Sequence, residues 1–246
     1  MCCLIRCKVR RNLKFILLPA LVSRPMTHCL LLLLLSFCLS TVSLVPSFGE
    51  ERPGGDPEVS ELAAFGKNKS IPEEMEEVIL TALSFYPDLK DTHIRFVYEE
   101  NIRKSVMQAQ HQIRSLFRSK SNRVYIVKIS RYLKLEKEKL DISTLPFEVL
   151  VGWIGHELGH VMDYKDRSGL AMIGFGAKYW LSENFLKKAE RRADLYALKH
   201  GLGDKIISTK NFVLNHVDIP VSYKERIKRL YMSPEEFGQM LTESAP

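Results

Sequence analysis

Beyond Cys38 the chain has no cysteine. All five thiols (Cys2, Cys3, Cys7, Cys29 and Cys38) fall near the start of a 246-residue sequence. The body is therefore expected to fold without a disulfide and to hold any metal through histidine and carboxylate alone. The first 49 residues lack acidic side chains: they hold Arg6, Lys8, Arg10, Arg11, Lys14 and Arg24 and no Asp or Glu. Once these six are set aside, the formal charge of +7 shrinks to 30 basic against 29 acidic residues. A near-neutral body gives no electrostatic footprint for nucleic acid, so no nucleic-acid partner is expected. Repeats and low-complexity tracts are absent too, which excludes a solenoid or a fibrous chain. At 46% hydrophobic residues, the sequence has enough apolar surface to build one real core.

What is present divides the chain into three parts. Residues 29–45, CLLLLLLSFCLSTVSLV, carry no charge and follow a basic stretch, and Ser47 and Gly49 then supply small residues ahead of Glu50. Basic, apolar and small-residue regions in that order read as a cleaved secretory signal. The apolar run is at the short edge of a spanning helix, so a single uncleaved N-terminal membrane anchor stays open. A lipidated Cys38 is disfavoured by the bulky Phe37 before it. Met26 is an alternative start. Each reading places the body across the cytoplasmic membrane, where it would be periplasmic, secreted or membrane-anchored. Residues 1–49 are thus assigned to a signal peptide or anchor, 50–70 (rich in Pro, Gly and charge) to a linker, and 71–246 to the functional domain.

Within that domain IPEEMEEVILTALSFYPDL predicts a helix with Met75, Val78, Ile79 and Leu83 on one stripe. Alternation predicts strands near 93–100 and 122–130. Residues 101–119 fit either a helix or a hairpin, and SKSN at 119–122 reads as a turn. A helix is expected over about 145–164, capped by Ser143 or Thr144 with Pro146 in its first turn. Residues 165–180 read as a Gly-containing connection. Ser182 caps a further helix that ends at Gly201, and capping boxes are read at Ser222/Glu225 and Ser233/Glu236. The fold class is α+β, mostly helical, with a small sheet.

The chemistry centres on VGWIGHELGHVMDY, residues 151–164, in which His156-Glu157-x-x-His160 sits within an apolar run. Positions i and i+4 share a helix face, so the two imidazoles project side by side and can each reach a zinc ion. Glu157, slightly off that axis, is placed to take a proton from water without being a ligand. A catalytic zinc takes three protein ligands and keeps an open position. Asp163 and Asp166 extend the motif to HExxHxxDxxD, but a third ligand so close needs Gly at 163 to turn the chain back, and Asp stands there. Further on, AERRADLYAL places Glu190 and Asp194 at i and i+4 of an amphipathic helix. Glu190 is the expected third ligand, and Asp194 the carboxylate that orients a histidine ring.

HELGH followed about thirty residues later by Glu190-x-x-Ala193-Asp194-x-Tyr196-Ala197 resembles the gluzincin metallopeptidases. More narrowly, it is similar to the family of the CAAX prenyl endopeptidases and the HtpX-type quality-control proteases, over about residues 145–230. The resemblance implies a zincin-like domain built on an active-site helix, with one Zn²⁺ held by His156, His160 and Glu190, Glu157 as general base and Asp194 in support. It also points to His216, Tyr223 and Arg226 in NHVDIPVSYKERIKRL as candidates to stabilise the transition state, although His216 and Pro220 are not adjacent as the family's pattern has them. The expected activity is zinc-dependent endopeptidase cleavage of unfolded or extended polypeptide outside the cytoplasm, in envelope quality control by family analogy. The substrate would pair with an edge strand, for which 122–130 is one candidate; that segment reads equally well as a central strand. The alternatives are a zinc-containing, client-binding protein that does not cut, and a zinc hydrolase acting on a non-peptide bond. Sequence does not fix the oligomeric state.

Overall fold

The computed structural model describes residues 61–244 apart from 101, 103 and 104. Contacts divide the chain between Glu50 and Glu51; the expected signal or anchor and most of the expected linker lie outside the described residues. Everything described is arranged around one helix whose residues Val149 to Tyr164 are all buried. A helix buried on all its faces must be covered on every side, and the remaining elements do so.

One side is a four-stranded sheet of β1 (Lys69–Ser70), β2 (His93–Tyr98), β3 (Met107–His111) and β4 (Val124–Ile129), in the order β1-β2-β4-β3. The first three in that order run parallel, and β3 closes the edge antiparallel to β4. A separate hairpin pairs β5 (Tyr132–Lys134) with β6 (Lys139–Asp141). The helices are α1 (Glu76–Ser84), α2 (Phe147–Lys165), α3 (Gly169–Leu181), α4 (Glu183–Lys199), α5 (Gly203–Asn215), α6 (Val221–Leu230) and α7 (Pro234–Ser244). The fold is α+β and mostly helical, as expected. Helix α2 packs against α1, β3, α4 and α5. Among the described residues no helix is long and apolar enough to cross a membrane.

Several local expectations change. The ambiguous 101–119 contains strand β3, because Met107, Ala109 and His111 are buried while Gln108 and Gln110 are not, a period of two. It is followed by a turn of 3₁₀ helix at Ile113–Ser115. The candidate edge strand, β4, lies between β2 and β3 and is central, so β3 is the edge. The described part of the expected linker is structured, since 61–66 is helical and Lys69 and Ser70 pair with β2. Helix α2 is preceded by Pro146, not capped by Ser143 or Thr144; these two belong to a 3₁₀ turn capped by Asp141. Ser222 lies inside α6, whose N-cap is Pro220, whereas Ser233 does accept a hydrogen bond from the Glu236 amide at 3.2 Å.

The expected connection at 165–180 is in fact helix α3. Ser168 caps it by accepting from the Ala171 amide, and Met172, Phe175 and Tyr179 form a stripe facing inward. Its interior glycines, Gly174 and Gly176, each cost about 1 kcal/mol of helix propensity. Burying Met172 and Phe175 recovers about 1.5–3 kcal/mol each, so packing overrides propensity. Helix α4 ends as expected at Gly201, whose φ of 82° suits glycine.

His111 carries a pH prediction. Its ring lies 4.5 Å from that of Tyr125 and 5.8 Å from that of Tyr164. Burial, with help from the Arg123 charge and against the Tyr164 carbonyl, lowers it from 6.5 to about 4. The folded state thus binds fewer protons than the unfolded one, so the contribution is complete above pH 6.5 and is lost as pH falls through about 4. The shift sets an upper bound of about 3 kcal/mol, reduced by solvent screening of a partly buried group. His111→Phe keeps the ring contacts and should flatten the acid limb of a stability–pH curve from urea unfolding. An unchanged limb would remove His111 from the account.

Candidate metal centre

Two helices build the centre. Helix α2 supplies His156, Glu157 and His160, and α4 supplies Glu190 and Asp194; all five are buried. The helices come close because of Gly159, where an added Cβ would collide with the Ala193 carbonyl oxygen. Gly159→Ala is therefore expected to cost about 1–3 kcal/mol by overpacking and, by pushing α4 away, to weaken metal binding. Calorimetry and metal titration of the variant check both effects.

The Nε2 atoms of His156 and His160 each lie 3.2 Å from the same Glu190 oxygen, Oε2. Ligand atoms of the three residues all fall within 4.8 Å of one another, so this buried group could hold a metal ion. An ion with tetrahedral bonds of about 2.0–2.1 Å separates its ligand atoms by about 3.3 Å, which the two His–Glu190 distances match. The hydrogen-bond chemistry points the same way. His156 Nδ1 faces Asp194 Oδ1 at 2.9 Å, and a carboxylate accepts, so Nδ1 donates there. In the neutral ring, Nε2 then carries a lone pair aimed at a carboxylate oxygen. Two acceptors at that distance need a cation between them, either a proton or a metal. Without metal the proton wins: burial pulls His156 down, but the hydrogen bonds and charges of Asp194 and Glu190 outweigh it and push it up to about 10.

The surrounding groups hold this arrangement. Asp194 Oδ2 accepts from the Lys210 ammonium at 2.9 Å and the Met232 amide at 3.1 Å. Burial raises Asp194, but Lys210 and His156 overcome that and leave it below the ordinary carboxylate range. Glu190 is likewise raised by burial yet ends well below that range, because of both histidines. Its second oxygen, Oε1, accepts from the Tyr179 hydroxyl at 2.6 Å. Glu157 goes the other way. Burial and the Glu190 charge raise it against the pull of His160, His156 and the Ala109 amide, which donates to its Oε2 at 2.6 Å.

Of the residues expected from sequence, the structure brings His156, Glu157, His160, Glu190 and Asp194 together. Asp163 pairs with Arg167 and Arg192 instead. Tyr223 lines the same cleft as His156 and Glu157. Arg226 is half-buried on the same helix, its Nε without a partner. His216 does not line the cleft; it caps the end of α5 and accepts the Asp218 amide on Nδ1. Sequence reasoning missed Lys210, Tyr179, Ala109 and Tyr231, whose ring lies 5.3 Å from that of His156. Lys210 was findable, as a charge on the Ile206–Thr209–Lys210–Val213 stripe that α5 buries. The cleft is narrow, with a volume of about 40 Å³. Comparison with family models, curated proteins and solved structures finds no match to this chain.

Proposed function

We propose that the protein is a zinc-dependent endopeptidase of the gluzincin type, with a zincin-like domain. The observation that carries this reading is the convergence of both imidazole Nε2 atoms on Glu190 Oε2 beside a buried carboxylate of raised pKa. His156, His160 and Glu190 would hold the ion; two nitrogens and one carboxylate oxygen are a donor set that suits zinc. When bound, the metal supplies a Lewis acid that polarises a carbonyl and acidifies water.

The chain's own groups supply the rest. Asp194 holds His156 in the tautomer that presents Nε2 to the ion. Glu157, its pKa raised by burial, accepts a proton from the attacking water and returns it to the leaving amine. Tyr223 walls the same cleft. In β3 the even-numbered residues pair with β4, as the Ser130–Val106 and Gln112–Val124 hydrogen bonds require. Backbone groups of Met107 and His111 and the Ala109 carbonyl therefore face an edge that no described strand pairs with, where an extended polypeptide would pair, while the Ala109 amide is held by Glu157. Action outside the cytoplasm remains part of this proposal and rests on the N-terminal signature; envelope proteins as clients rest on the family resemblance alone.

A second reading, a zinc-containing protein that binds clients without cutting, is favoured by the narrow cleft. One experiment separates the two: zinc content and casein cleavage before and after chelation. The peptidase reading expects about one zinc per chain, activity lost with the metal and restored by adding it back. Stoichiometric zinc without cleavage would favour the binding protein.

A further inference from the structure

Among the described residues, nothing covers one apolar face of helix α3. Leu170, Ile173, Trp180 and Leu181 lie on one side of it, with Gly174 and Ala177 between them, and Lys178 is its only charge. The turn before β4 adds Ile113 and Phe117, and Gly169 packs directly on the Leu116 carbonyl and the Phe117 ring, so the two surfaces adjoin. These six large side chains are between 52% and 88% exposed. An apolar surface of that extent marks an interaction site.

Its border is mostly basic. Residues 101–135 contain nine Lys and Arg and no acid, and 167–182 also contain no acid. Arg114, Arg118, Lys120 and Lys178 are exposed around the face. Of the two flanking acids, Glu183 is paired with Arg229 at 2.9 Å, which leaves Asp166. A second copy of the chain would bring these cations against their own kind. A peptide bound by strand addition or in a groove needs an edge or a second wall, and at Gly174 this helix face offers neither, since an added Cβ there would meet nothing within 4 Å. Large apolar side chains with an indole, rimmed by Lys and Arg, match the interface of an anionic bilayer.

We propose that this face is a membrane-docking surface that lays α3 on a bilayer containing anionic lipid. The proposal is independent of catalysis. It requires Trp180 and its neighbours to enter the headgroup region while the basic border meets lipid phosphates.

Bulk co-sedimentation decides nothing, because the apolar run at 29–45 would bind vesicles by itself. Trp180 gives a local readout, since the other tryptophan, Trp153, is buried, and a Trp180→Phe sample subtracts its signal. Full-length protein is mixed with vesicles of phosphatidylglycerol and phosphatidylcholine. The expected result is a blue-shifted Trp180 emission, quenching by brominated acyl chains and severalfold protection from acrylamide. All three should weaken in pure phosphatidylcholine and at high salt. A Leu170→Glu, Leu181→Glu double variant, altered only at exposed positions, should lose them while keeping the wild-type melting temperature. A Trp180 that stays equally open to acrylamide with and without vesicles overturns the proposal. So does shielding that grows with protein concentration in the absence of lipid, which would indicate self-association, or shielding by unfolded casein alone, which would indicate a polypeptide partner.

Discussion

Replacing Glu157 by Gln is expected to lower kcat/KM for an unfolded protein substrate by about 10²–10⁴-fold with no loss of bound zinc. The two halves of that expectation have separate physical grounds. Glu157 lies outside the His156–His160–Glu190 group that could hold a metal ion, so removing its charge leaves the donor set intact. Its environment favours a proton: burial and the Glu190 charge both raise its pKa, which brings a carboxylate toward the working pH of a general base. An amide cannot take that proton. The substitution is also gentle on the fold, since the side-chain carbonyl of Gln can still accept the Ala109 amide that Glu157 Oε2 accepts now. Initial rates on casein, paired with metal analysis of the same preparation, read both quantities. A Glu157→Gln protein that cuts at the wild-type rate would place the base elsewhere. One that loses zinc as well would show that Glu157 takes part in binding the ion.

How much of this was legible depends on whether the information is local. The HExxH spacing works because helix geometry is fixed: i and i+4 share a face whatever surrounds them. Glu190 and Asp194 were legible for the same reason, once a second amphipathic helix was assigned. The strand at 107–111 was not, because a basic, Gln-rich segment shows its period of two only through which side it buries. Helix α3 was hidden by Gly174 and Gly176, whose local cost is outweighed by packing that sequence does not display. Tyr179 and Ala109 were invisible for a stronger reason. Each reaches the centre through the way whole elements are stacked, and a backbone amide such as that of Ala109 leaves no trace in residue type. Lys210 lies between these cases: its place on a buried stripe could be read, but its partner could not.

The pair Asp194–Lys210 gives the largest expected effect on stability. Asp194 Oδ2 and the Lys210 ammonium are both buried and 2.9 Å apart, and breaking a buried pair by removing one partner costs about 3–5 kcal/mol. Asp194→Asn keeps the shape and can still accept from His156 Nδ1, yet it strands the ammonium; Lys210→Met leaves the carboxylate with His156 and the Met232 amide as its partners. With metal removed, Asp194→Asn should therefore unfold about 3–5 kcal/mol more easily in urea, and Lys210→Met by less. The double variant buries no unpaired charge and should recover most of that loss, giving a clear coupling energy in the cycle. Metal affinity should behave differently. His156 needs a charged acceptor at Nδ1 to hold its tautomer and stay basic, so Asp194→Asn should bind zinc about 10–100-fold more weakly, and the double variant should bind no better. Stability that fails to recover in the double would mean the ammonium and carboxylate do not depend on each other. Recovery of zinc affinity along with stability would mean that Asp194 serves the fold and not the histidine.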